Sequence, residues 1–344
     1  MAIAQLDRVS AEKQFRVGLL FAVGSALAFG SSGPFAKALM EAGWSPTAAA
    51  TARLAGGATA MVVFATLARP GWAREATRHA RTVIAYGLVP IAGAQLFYYN
   101  AVSHLSVGVA LLLEYTAPLL VVGWLWAVTR RRPSPMTFAG VGLAVAGIML
   151  VLNIFTGAHI NIVGVGWGLA AAVCAACYFL MSNRVSTDGA GLNPISLATG
   201  GLIVGAAAVA LVGLTGLMPL TFTSNPVVIA GHTSSWLVPV IALGLIPTAI
   251  AYTLGILGIT RLKPRFASLV GLSEVLFAVL AAWILVGESI TPSQAVGGAV
   301  VLVGLALARQ GDRSERHADQ VAAACWPDTP VPQAASEQTI RPND

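Results

Sequence analysis

Long apolar stretches alternate with short polar breaks along the whole chain. Residues 15–36, 46–68, 82–103, 107–128, 137–155, 162–182, 194–217, 235–257, 264–286 and 292–308 are each predominantly apolar. About 20 such residues cross roughly 30 Å of hydrocarbon as a helix. The pattern predicts an all-α polytopic membrane protein with ten transmembrane helices. The first stretch is too long for the apolar core of a signal peptide and has no small-residue cleavage site behind it, so it is expected to remain as a membrane helix.

Composition agrees with that class. Only 10% of the 344 residues are charged and mean hydropathy is +0.77, against about 25% charged in soluble domains. The net charge of +6 would matter for nucleic acid if it formed a patch, but it is spread by topology. With the N-terminus cytoplasmic, all of the 20 basic residues except Lys37 and Arg53 fall in inside segments, the positive-inside pattern of a protein of the cell membrane with both termini cytoplasmic. No nucleic-acid partner is implied. Cys174 and Cys177 form a CxxC inside "AAVCAACYF", where they read as small apolar packing residues.

The apolar pattern is also written twice. At an offset of 157, Gly87, Leu88 and Pro90 fall on Gly244, Leu245 and Pro247. Trp126 falls on Trp283, Pro135 on Pro292, Gly140 on Gly297 and Gly147 on Gly304. Five helices per copy is an odd number, so the second copy enters the membrane from the other side. The charges follow: Arg130–Arg132 have Gly287, Glu288 and Ser289 as counterparts, whereas Arg261, Lys263 and Arg265 face His104, Ser106 and Gly108. Two inverted five-helix repeats are therefore expected, an organisation of secondary transporters with the substrate site near the midplane. The expected division is a cytoplasmic segment 1–14, repeats 15–157 and 158–308, and a disordered cytoplasmic tail 309–344.

The stretches "FYYNAVSHLSVGVALLLEYTAPLL" and "GESITPSQAVGGAVVLVG" resemble the EamA-type members of the drug/metabolite transporter superfamily. The motifs "PFAKAL", "TARLAGG" and "LLLEYTAPL" are similar to its threonine/homoserine exporter branch. The resemblance implies export of amino acids, toxic compounds or other small metabolites, often against protons. In "SEVLF", Val275 stands where many members carry proline, which puts a kink in the ninth helix in doubt.

Charges inside the spans carry the candidate chemistry, because an ionised residue at a helix centre costs about 2.5–3.5 kcal/mol on insertion scales and marks a partner or a pathway. Arg53 and Glu114 each lie about two turns below the same membrane face, roughly 10 Å deep. Together they match the two charges of a zwitterion, the guanidinium taking a carboxylate in a planar fork. A buried pair that only fixes helix packing is the structural alternative. Glu274 maps by the repeat onto Ala117, one turn from Glu114, so Glu274 and Glu114 are candidates for proton coupling. Gln95 and Tyr99 share a helix face, and with Tyr115 and Tyr252 they complete the candidate substrate-binding set. Lys37, Asn100 and Tyr178 are further cavity candidates, with snorkelling and interfacial anchoring as the plainer roles of Lys37 and Tyr178.

Other classes lack their signatures. There is no GxxxxGK[ST] for ATP, no HExxH for a metal and no GxSxG nucleophile, so an enzyme is not expected and no cofactor is called for. The expected function is secondary export of an amino acid or similar small metabolite, with the lipid bilayer as surroundings and protons as possible counter-ions. The alternatives are multidrug or toxic-compound efflux, which would favour a larger aromatic cavity without paired charges, and a non-transporting membrane protein, which would tolerate neutralising all buried charges.

Overall fold

Two helices begin where the sequence sets a capping residue directly before a proline. Ser45 is extended and its side chain accepts the Ala48 N–H, with Pro46 opening α3 (Pro46–Ala68); Asn193 does the same for Ile195 N–H ahead of α11 (Pro194–Leu214). Proline at the first helical position loses nothing, since that N–H has no intrahelical acceptor. In this computed structural model, residues 2–130, 134–151, 161–187, 192–251, 254 and 264–324 are described. Tyr252 lies outside them, as do residues 325–344.

The chain starts with α1 (Ala2–Gly30) and α2 (Ser32–Glu41), parted at Ser31. After α3 come α4 (Trp72–Arg78), α5 (Ala80–Tyr86), a π-helical turn over Gly87–Gly93 and α6 (Ala94–Val102). Then follow α7 (Val107–Glu114), α8 (Ala117–Thr129), α9 (Pro135–Val151) and α10 (Ile162–Thr187). Beyond α11, the antiparallel strands β1 (Val227–Ile229) and β2 (His232–Ser234) lead to α12 (Leu237–Gly244) and a second π-helical turn, Leu245–Ile250. Helices α13 (Pro264–Val286) and α14 (Pro292–Ala324) close the described chain.

Among the described residues, 5 helices are long and apolar enough to cross a membrane: Arg16–Glu41, Pro46–Ala68, Ala80–Val102, Val107–Val128 and Pro194–Leu214. The other apolar helices found, including Pro135–Val151 and Leu237–Ile250, are shorter. At both chain ends the backbone extends further than the apolar pattern predicts. Helix α1 begins at Ala2 rather than near residue 15, and α14 continues to Ala324 where a disordered tail is expected from 309. The polar stretch after Ala308, as far as Ala324, holds four alanines, three arginines and two glutamines, all strong helix formers, and no proline, so the helix continues past Gly311.

The duplication read from the sequence has a counterpart in the packing. Pro90 and its mate Pro247 each sit in a π-helical turn, where the wider ladder accommodates a residue without an N–H. A Cβ on Gly140 would stand 2.6 Å from Gly304 O, and one on its mate Gly297 would stand 2.8 Å from Gly147 O. Since Gly147 is in turn the mate of Gly304, α9 and α14 cross antiparallel through one contact used twice. Likewise a Cβ on Gly87 would stand 2.7 Å from Gly201 O, and one on its mate Gly244 would stand 3.2 Å from Gly56 Cα. Small residues let helix backbones approach within an apolar medium, where dispersion and not water exclusion holds helices together.

Prolines elsewhere act differently. The helix around Pro118 breaks three residues earlier, at Tyr115 and Thr116, and α8 restarts with Pro118 in its first turn. Thr116 Oγ1 donates to Leu113 O at 2.7 Å across that break. Helix α13 runs unbroken past Val275, in keeping with the missing proline.

Glu75 ties α4 to the start of α11. Its carboxylate accepts the Asn193 N–H at 2.5 Å, Ser196 Oγ–H at 2.8 Å and Arg69 Nε–H at 3.1 Å. Desolvation pushes the carboxyl up, but these donors outweigh it and hold it below its ordinary 4.5. A depressed folded value means that the contribution to stability is present above the unfolded value and fades as pH falls through the folded one. Glu75→Gln is therefore expected to lower the thermal midpoint of the detergent-solubilised protein at neutral pH. The gap from the unsubstituted chain closes as pH drops below about 4.5; a gap constant with pH would contradict this account.

Candidate functional site

Arg53 sits two turns into α3, on the face turned to the bundle interior, and is 8% exposed. Its Nη1 donates to Ser32 Oγ and to Gln95 Oε1, both at 2.5 Å, and lies 3.4 Å from Tyr99 Oη. The Ser32 and Tyr99 hydroxyls bond each other at 2.9 Å, and the guanidinium carbon is 6.0 Å from the Tyr99 ring centroid. Gln95 and Tyr99 reach Arg53 together because they are four residues apart on α6. Ser32 reaches it because the first span breaks at Ser31, which places the start of α2 beside α3 and α6. The result is a guanidinium held in one orientation by three helices. A hydroxyl, an amide oxygen and an aromatic face orient it.

Two carboxylates approach this cation from other elements. Glu114 ends α7 and is half-buried; Glu274 lies on α13, also half-buried, and accepts the Tyr115 hydroxyl at 2.6 Å. Glu114 is within the electrostatic reach of both Glu274 and Arg53, and Arg53 acts on Glu274 as well. Tyr115 is placed by the break between α7 and α8, so the turn that ends one helix half delivers the phenol to α13. Gly30 permits the approach of α1 to α13 at this level: its Cβ would lie 3.0 Å from Glu274 O and 2.8 Å from Ala278 N. One cation and two carboxylates thus converge from both repeats. That arrangement can bind a zwitterion, exchange a proton, or do both.

The sequence-predicted residues divide into two groups. Arg53, Gln95, Tyr99, Glu114, Tyr115 and Glu274 are brought together, although Arg53 takes Ser32 and Gln95 as direct partners. Lys37, Asn100 and Tyr178 are placed elsewhere. Lys37 pairs with Glu288. Asn100 turns back along its own helix, its Nδ2 donating to Leu96 O at 2.7 Å. Tyr178 is 37% exposed and lies against Tyr86, ring centroids 5.8 Å apart. Ser32 was not singled out from the sequence; the signal was the "FGSSGP" cluster, a turn-forming run inside an apolar span. A cleft of about 40 Å³ beside Glu288, bounded by Ser106, Val109, Leu112 and Gln294, has room for a few waters and lies apart from Arg53.

Buried ionisable groups gathered from several apolar helices, with paired glycine crossings relating two halves, define a multi-pass membrane protein of the transporter class. The EamA-like transporter family model matches residues 16–153 and again 162–310; the chain belongs to that family and carries its domain twice, and it is not an enzyme. It is similar to the threonine/homoserine exporter RhtA of Escherichia coli strain K12, 30% identical over 74% of this chain and 78% of that protein. It is also similar to the uncharacterized transporter YwfM of Bacillus subtilis strain 168, 26% identical over 87% of this chain and 96% of that one. A solved crystal structure 22% identical in sequence shares the fold, with a TM-score of 0.53 over 89% of this chain and 99% of that chain.

Proposed function

We propose that the protein is a secondary active carrier of the cell membrane that exports amino acids or similar small metabolites by alternating access. In this reading its two EamA domains are inverted five-helix repeats, ten spans in all, with both termini cytoplasmic. The observation that carries it is the cluster itself. Arg53 takes the substrate carboxylate and Glu114 takes the ammonium, as the two ends of an α-amino acid require. The similarity to a threonine/homoserine exporter supports the same substrate class.

Proton coupling follows from the second carboxylate. Two anions in mutual reach repel when both are charged, so a proton or an ammonium group arriving between them relieves that repulsion. Glu274, anchored by Tyr115, is assigned the proton, and Glu114 the substrate. The test uses proteoliposomes loaded with labelled threonine, homoserine or other amino acids, with and without a pH gradient. Efflux is expected to rise with the gradient and to fall at least tenfold in Glu114→Gln, the cost of about one charge-assisted hydrogen bond. Transport of no amino acid by the unsubstituted protein sinks the proposal.

A further inference from the structure

At each end of the bundle a glutamate joins the two repeats. At one end Glu288, in the segment between α13 and α14, pairs with Lys37 of α2. The other oxygen of Glu288 accepts the N–H of Val107, the first residue of α7, at 3.0 Å. A carboxylate of the second repeat thus holds two helices of the first, with Glu41 in the electrostatic reach of both partners. At the other end the roles are exchanged. Glu75 of the first repeat, bound by Arg69, holds the Asn193 N–H and the Ser196 hydroxyl at the start of α11 in the second. Helix α3, 23 residues long, separates the two ends by about 35 Å.

The two clusters use the same chemistry. Each places a carboxylate at the N-terminal backbone of a helix, where the macrodipole favours an anion, and adds one basic side chain. Neither is a repeat copy of the other, since Glu75 and Glu288 do not correspond at the offset of 157. Neither uses the groups around Arg53. What they share is position: each joins the two repeats at one end, so it can break when that end opens and persist when the other does.

We propose that Glu288 and Glu75 are the latches of the two faces, Glu288 closing the face at Lys37 and Glu75 the face at Arg69, released in turn during transport. This rests on the carrier reading, but its test needs no substrate. Spin labels are placed in the full-length protein in lipid nanodiscs, with Cys174, Cys177 and Cys325 replaced by alanine. One pair, at the exposed Ser103 and Ser289, reports the Glu288 face; a second, at the exposed Thr77 and Pro194, reports the Glu75 face.

Electron–electron distance measurements are expected to show the first pair moving apart by several ångströms in Glu288→Gln while the second pair is unchanged. Glu75→Gln is expected to do the reverse. Lys37→Met, which leaves Glu288 on Val107, widens the first pair to a smaller extent; Ser196→Ala does so for the second, and these two variants decide the matter if the glutamine variants do not fold. Unchanged distances in all variants overturn the proposal, as does widening of both pairs whichever glutamate is replaced. If the distances respond as expected but no amino acid is transported, the substrate assignment fails and the latches stand.

Discussion

Arg53→Ala is expected to abolish amino-acid export by reconstituted protein while leaving the protein in the membrane. A carboxylate held by two charge-assisted hydrogen bonds gains about 1.5–3 kcal/mol from each, so losing both weakens substrate binding by roughly 10²–10⁴-fold. Folding responds differently. Removing a cation from the bilayer recovers about 2.5–3.5 kcal/mol on insertion scales. Against that, Gln95 loses its partner on Arg53, while the Ser32–Tyr99 bond at 2.9 Å persists. Glu114 and Glu274 also lose a nearby positive charge, which opposes the gain, so abundance falls far less than transport does. Arg53→Lys keeps the charge but not the planar fork and is expected to fall between. Labelled-substrate efflux at equal protein density measures all three, and normal efflux from Arg53→Ala would remove Arg53 from the site.

The second large effect is structural. Gly147→Leu places a Cβ 2.7 Å from Val301 N and 2.8 Å from Gly297 O. Those are backbone atoms of α14 and cannot swing aside as a side chain would, so the crossing itself must open. Overpacking of this kind costs about 1–3 kcal/mol or more, and the opening also strips contacts from the partner crossing at Gly140 and Gly304. A lowered thermal midpoint and reduced yield of folded protein in detergent are expected. Gly142→Leu is the control: it lies on the same helix with nothing within 4 Å of a Cβ, so its midpoint stays put. Equal melting of the two variants would refute the close-crossing account.

The residues of the central cluster were legible to different degrees. Arg53, Glu114 and Glu274 stood out because charge inside an apolar span is expensive. Gln95 and Tyr99 stood out by their spacing of four. Ser32 was hidden, since a serine in a membrane helix is unremarkable until the break at Ser31 turns it towards Arg53. Lys37 was visible as a charge but not as a partner of Glu288, which is 251 positions away. Asn100 and Tyr178 passed the same polarity criterion and face other neighbours. Spacing along one helix says which residues share a face. It does not say which way that face turns, and helices that are apolar all round give little further clue.

The amino-acid order alone established the membrane class, the apolar stretches, the duplication at a constant offset and the family resemblance, because each rests on composition or on spacing along the chain. Matched prolines and glycines were already present as matched letters. Only the tertiary structure decided that Pro90 and Pro247 sit in π-helical turns while the break near Pro118 precedes it, and that Gly140 meets Gly304 rather than its own counterpart. It also decided which donors each buried charge receives. Those outcomes depend on how helices rotate and approach one another, and that is set by close packing of small residues and by satisfying polar groups in an apolar medium, quantities with no signature in any single stretch of sequence.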